Sequence, residues 1–153
     1  MYTRKQAALI RQKFWTQFGK YMAPVPSAEG KKINWINYNT GIPNIYFRMN
    51  AGNEQAYIGI EIMHNPAELA KKYFKQFILL KPALQEYMVE NPEFETLHIN
   101  EFNQPMCRIY SILQPVNIFN ESDWPAIISF LKQKILGLDN FWTDHKIIFE
   151  SAG

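Results

Sequence analysis

Cysteine occurs once in the 153 residues, at Cys107. That excludes an internal disulfide framework and any metal cluster built on several thiolates. No apolar run approaches the roughly 20 residues of a bilayer-spanning helix, so no membrane role is expected. Residues 1–13 carry charges throughout and do not form the basic-then-apolar leader of a secreted chain. A cytoplasmic, bacterial-type protein is the economical expectation. Only seven residues are glycine, and neither a glycine-rich phosphate loop nor a nucleophile elbow is present. Charged residues make up just 20% of the chain against 47% hydrophobic, which excludes intrinsic disorder.

Aromatic residues are abundant, at 15%. The length predicts a single domain over 1–153 with a real core and no second domain. A core of that size has limited room for rings. Trp15, Trp124, Phe141 and Trp142 are therefore candidates for an exposed dimerisation surface as well as for core packing. The net charge of +2 conceals an asymmetry: through Lys32 there are seven basic residues against Glu29 alone, and the remainder holds nine basic and thirteen acidic groups. Such polarity can draw an anionic partner to the N-terminal element, although lysine is also an ordinary choice for a solvated helix face.

Thr3 and Gln6 form a capping-box pattern that opens an amphipathic helix. Ile10, Phe14, Phe18 and Tyr21 share one face of it, with Lys5, Lys13 and Lys20 on the other and Arg11 close to the apolar stripe. Pro24 and Pro26 stop the helix. Three strands are predicted next, over 33–36, 45–49 and 57–63, the last two alternating and joined by a turn at Gly52-Asn53. Asn65-Pro66-Ala67-Glu68 starts a helix with Asn65 as cap; it runs past Tyr73 and Phe77, is interrupted at Pro82 and continues over 84–88. Strands follow near 96–99 and 106–113. Ser122 caps a final long helix with Pro125 in its first turn and Gly137 as a weak point. The order α-β-β-β-α-β-β-α predicts an α+β fold, a largely antiparallel or mixed sheet packed on helices.

His64, His98 and His145 lie on separate predicted elements without the spacing that announces zinc, and Cys107 reads as a small buried hydrophobe. No catalytic residue, metal site or cofactor is therefore expected. The element order is also that of restriction-endonuclease-like cores, which hold a metal with an acid on the second strand and Glu-x-Lys on the third. Here Glu61 is followed two residues on by Met63, and Arg48 stands where an aspartate is wanted. Glu29-Gly30-Lys31 matches the motif only as letters, inside a Pro/Gly loop. An active nuclease of that kind is not expected, which leaves a degenerate one as the third reading.

The working-surface candidate is the strand face opposite the isoleucines, where Tyr46, Arg48, Tyr57, Glu61, Arg108 and Tyr110 fall together if the strands pair in this way. Guanidinium groups and phenol rings suit anionic or planar partners, and Gly59 leaves a hollow for a close approach. Arg11 and Trp15 of the first helix are placed to complete the patch, with Glu61 as a partner for Arg11. The structural alternative is that Glu61 bridges Arg48 and Arg108 across strands beneath a helix. Both readings stay open.

Arg11-Gln12-Lys13-Phe14-Trp15, Trp35, the alternating strand before Asn65-Pro66-Ala67-Glu68, the lysine-rich second helix and the closing Asp123-Trp124 helix together resemble an uncharacterised bacterial domain-of-unknown-function family. Its members often stand at the C-terminus of larger proteins, some with a restriction-nuclease-like region. The resemblance covers nearly the whole chain. Gln85-Glu86-Tyr87 keeps the family's late acid of helix two and lacks its glycine. What the resemblance implies is a nucleic-acid-linked or defence-linked role, with no site attached. A non-catalytic module binding nucleic acid or protein is the leading expectation, and an assembly or homodimer domain the alternative.

Overall fold

Ile58, Ile60 and Ile62 alternate along one strand and are fully buried, and the architecture is built around the sheet face they occupy. A computed structural model describes residues 2–151. Its elements run α1 (Arg4–Met22), β1 (Ile45–Ala51), β2 (Ala56–Ile62), α2 (Ala67–Leu79), α3 (Lys81–Met88), β3 (Glu93–Ile99), β4 (Pro105–Leu113), a short 3-10 turn (Glu121–Asp123) and α4 (Trp124–Glu150). The fold is α+β. The four strands form one sheet in the order β1-β2-β4-β3, with every pairing antiparallel. Helices α2 and α4 pack on it, burying the inward row of Ile45, Phe47, Ile60, Cys107 and Ile109. Among the described residues, no helix is long and apolar enough to cross a membrane.

The capping box forms as predicted: the Gln6 amide donates to Thr3 Oγ1 at 3.1 Å and the Thr3 amide to Gln6 Oε1 at 2.8 Å. Met22 closes the buried stripe of Phe14 and Phe18, whereas Tyr21 is exposed. Two other caps differ from expectation. Helix α2 begins at Ala67 with Pro66 in the cap position and no side-chain cap bond, so Asn65 does not cap it. Before α4, Asn120 rather than Ser122 supplies the oxygen, accepting from the Ser122 amide and capping the 3-10 turn. The helical rings are also more deeply buried than their number implied. Trp124, Phe141 and Trp142 are core residues and Trp15 is half-buried, so they offer no exposed dimerisation surface.

The predicted strand at 33–36 is a loop. Asn34 Oδ1 accepts from the amides of both Ile36 and Asn37 at 3.1 Å, so a local side chain takes donors that a ladder would need. Trp35 is buried and donates its indole N–H to the Val25 carbonyl at 2.9 Å. The whole connection 23–44 lacks regular structure, an unusual length for an ordered loop. Helix α4 holds it. Asp139 accepts from the Ala28 amide at 2.7 Å and from the Tyr38 hydroxyl at 2.5 Å, and the Trp142 indole donates to the Thr40 carbonyl at 2.7 Å.

Gly137 is a contact point rather than a weak point. A Cβ there would collide with the Tyr87 carbonyl oxygen at the end of α3. One turn earlier, the buried Lys134 ammonium donates to the Met88 carbonyl at 2.5 Å and pairs with Glu90 at 2.6 Å, neutralising the negative end of α3.

Two outcomes follow from these contacts. Gly137→Ala gains about 1 kcal/mol of helix propensity, yet overpacking against a backbone carbonyl costs about 1–3 kcal/mol. Urea denaturation is therefore expected to show net destabilisation; a more stable variant would refute the close approach. Burial, and then the bond to Asp139, raise the pKa of Tyr38 well above that of an ordinary phenol. Folding thus favours the protonated form. That contribution is complete below pH about 10 and is lost as pH rises beyond the unfolded value. Melting temperature should fall above pH about 10, less steeply in Tyr38→Phe.

Candidate functional site

The sheet has one face turned away from the helices, and its register decides which side chains meet there. Tyr46, Glu61, Arg108 and Glu95 form one row across all four strands; Arg48, Gly59, Tyr110 and Glu93 form the next. Strand alternation therefore brings six of the eight expected residues together: Tyr46, Arg48, Tyr57, Glu61, Arg108 and Tyr110. The other two lie elsewhere. The Arg11 guanidinium sits 5.0 Å over the Phe119 ring in the segment after β4, and Trp15 packs edge-on against Phe14 and Phe18 within α1. The expected Arg11–Glu61 contact does not form, because Glu61 takes its partners from its own sheet.

Those partners differ from the cross-strand bridge between two arginines. Glu61 pairs with Arg48 at 3.0 Å and accepts from the Tyr57 hydroxyl at 2.9 Å. Arg108 turns the other way and donates to Glu95 at 2.7 Å. His98 Nδ1 lies 3.3 Å from the same Glu95 oxygen. Each guanidinium also covers a ring: Arg48 lies 4.3 Å from the Tyr46 centroid and Arg108 lies 4.2 Å from that of Tyr110. Tyr57 and Tyr110 stack at 5.7 Å. Burial works against the charge of Arg108, but the bond to Glu95 and the neighbouring Tyr57 outweigh it, and its pKa ends above the usual value. Burial raises the Tyr57 phenol as well, followed by the charge of Glu61 and the bond to it.

Gly59 does not leave a hollow for a ligand. A Cβ there would collide with the Tyr57 hydroxyl, so the space is filled by the phenol as it reaches along the strand to Glu61. The open space lies instead beside the β3–β4 hairpin, a concavity of about 750 Å³ bounded by Arg48, Tyr57, Glu61, Arg108, His98 and Phe102. Asn100 builds the hairpin tip: its Oδ1 accepts from the Phe102 and Gln104 amides at 2.9 Å, and Asn103 adopts a left-handed φ of 60°. Phe102 stands on that tip, 74% exposed.

Glu95 and Phe102 escaped the sequence reading, which weighed His98 only as a metal ligand. Glu93 and Glu95 alternate on β3 as Arg108 and Tyr110 do on β4, a usable signal once those strands are known to be neighbours. The register shift between Glu95 and His98 hides the rest. A phenylalanine inside the polar run Asn100–Gln104 was the other legible sign. Among the described residues, no group of three His, Cys, Asp or Glu is placed to hold a metal ion. Cys107 is buried, donates to the Thr96 carbonyl at 3.3 Å, and has its thiol pKa raised by that burial. The groups on the open face are rings, guanidinium forks and carboxylates, which suit recognition.

Gly59→Ala is expected to swing the Tyr57 phenol off Glu61 and cost about 1 kcal/mol, the net worth of such a bond. In a Tyr57→Phe background the same substitution should cost clearly less. A double-mutant cycle by chemical denaturation measures this, and equal costs in both backgrounds would remove the coupling.

A family model described as Domain of unknown function (DUF4268) matches residues 10–146. No curated protein and no solved structure matches the chain. The matched span begins within α1, contains the whole four-stranded sheet and ends within α4, so the chain belongs to the DUF4268 family of domains of unknown function.

Proposed function

We propose that this chain is a non-catalytic binding module that takes an extended segment of a protein partner along the open sheet face and the β3 edge. The observation that carries this reading is a run of exposed apolar side chains: Ile99 and Phe102, at 55% and 74% exposure, line the concavity, and Leu97, at 63%, precedes them on the edge strand β3. Large apolar groups concentrated at a surface mark interaction sites far more often than scattered ones do. Among the described residues, strand β3 pairs only with β4, which leaves its outer edge open to strand addition. Between Glu93 and Ile99 it carries neither lysine nor proline, the residues that commonly block such an edge.

The electrostatics favour a protein segment over nucleic acid at this face. Arg48 and Arg108 are each held by a carboxylate, and Glu93 and Glu101 add further negative charge. A phosphate backbone would have to displace Glu61 and Glu95 and would still meet excess negative charge. A segment with apolar residues flanked by lysine or arginine fits better. Its anchor would sit against Phe102, since rigid aromatics at the centre of an interface dominate its energy.

The test is titration calorimetry with strand-forming peptides selected from a random display library on the folded chain. Binding is expected to weaken at least tenfold in Phe102→Asp and to be unaffected by Lys20→Glu on the far helix. Peptides that bind Phe102→Asp as tightly as the native chain would take the site away from this face. Sedimentation at two concentrations separates the case in which the segment belongs to a second copy: association would then be lost in Phe102→Asp.

A further inference from the structure

Helix α1 contains no acidic residue, and its basic groups are not used by the sheet face. Phe14, Phe18 and Met22 turn one side of it into the core. At 100° per residue, Lys5, Lys13 and Lys20 then fall within about 80° of one another on the opposite side. Gln12, Thr16 and Gln17 lie among them, and all six are exposed. The stripe from Lys5 to Lys20 is about 22 Å long, the axial length of six or seven base pairs. Lys132 of α4 flanks its C-terminal end on the Tyr21 side, with its ammonium 3.4 Å from the Tyr21 hydroxyl. Lys32 lines the same end beside Gly19 and Met22.

We infer that this stripe is a docking surface for the phosphate backbone of double-stranded nucleic acid, read without regard to sequence. Four observations select that partner. The stripe is positive, while the open sheet face carries Glu61, Glu93, Glu95 and Glu101 against Arg48 and Arg108, and such an asymmetry helps orient an approaching polyanion. Amide and hydroxyl side chains between the lysines are the donors that fill in phosphate and sugar contacts in such interfaces. An anionic bilayer is a poorer partner, because an interfacial helix must bury an apolar face among lipid chains and that of α1 is spent on the core, leaving Leu9 alone on the outer side. A single strand is poorer too: it calls for a series of rings to stack its bases, and Tyr21 is the one exposed ring on α1. One lysine of the stripe has an acidic neighbour. Lys13 lies 2.8 Å from Glu121, but both side chains are about two-thirds exposed, and an exposed pair of that kind exchanges readily for a phosphate.

Fluorescence anisotropy of the whole chain with a labelled 20-base-pair duplex and a single strand of equal length, across a salt series, tests the inference. Binding of the duplex is expected in the range of about 10⁻⁴–10⁻⁶ M near physiological salt, with a log–log slope of about −2.7 to −3.6 for three or four phosphates neutralised. Lys5→Gln/Lys20→Gln should flatten the slope by about two, with an unchanged melting temperature showing that the fold is intact, and Phe102→Asp should leave duplex binding unchanged. No binding at low salt, an unchanged slope in the double variant, tighter binding of the single strand, or capture by phosphatidylserine vesicles in place of the duplex would each overturn it.

Discussion

Asp139 accepts two hydrogen bonds in the interior, from the Ala28 amide and the Tyr38 hydroxyl, and much of the remaining architecture depends on that carboxylate. It projects from the middle of α4 and reaches a connection with no regular structure of its own. Such a segment loses its conformational freedom only if something rigid receives its polar groups. Once Asp139 and Trp142 have done so, Tyr38 stacks on Phe47 at 4.9 Å and the loop lies along β1. The loop thus flanks the β1 side of the sheet, and β3 forms the opposite edge.

That asymmetry organises the surface chemistry. Helices and loops on one side force the polar half of each strand to the other, where alternation along β1, β2 and β4 stacks tyrosine, arginine and glutamate in rows. Within those rows each arginine is held by a carboxylate and the acids are in excess, which is why the proposed ligand of this face is a mixed protein segment and not a polyanion. The lysines of α1, of which Lys13 pairs with Glu121, lie on a separate element from these rows.

Legibility in the sequence followed the range of the interaction. Thr3 and Gln6, Phe14 and Phe18, the isoleucines of β2 and the break at Pro82 act over a few residues, and their patterns were readable. The loop at 33–36 was misread because its short apolar run is real but Asn34 diverts the amides locally. Gly59 and Gly137 were misread for a related reason: the atom that requires each glycine belongs to Tyr57 bending along its strand, or to Tyr87 on another helix. The six residues of the open face were legible as a group from strand periodicity, but their partners were not.

The sequence by itself determined the class of fold, the inward and outward faces of its strands, the single buried thiol and the lopsided charge, because periodicity and composition act through local geometry and simple sums. Only the tertiary structure decided that β4 lies between β2 and β3, that Arg108 therefore meets Glu95 instead of Glu61, and that Phe102 stands beside the concavity. Strand order and register depend on contacts between residues far apart in the chain, and no local pattern encodes which distant strand will be the neighbour.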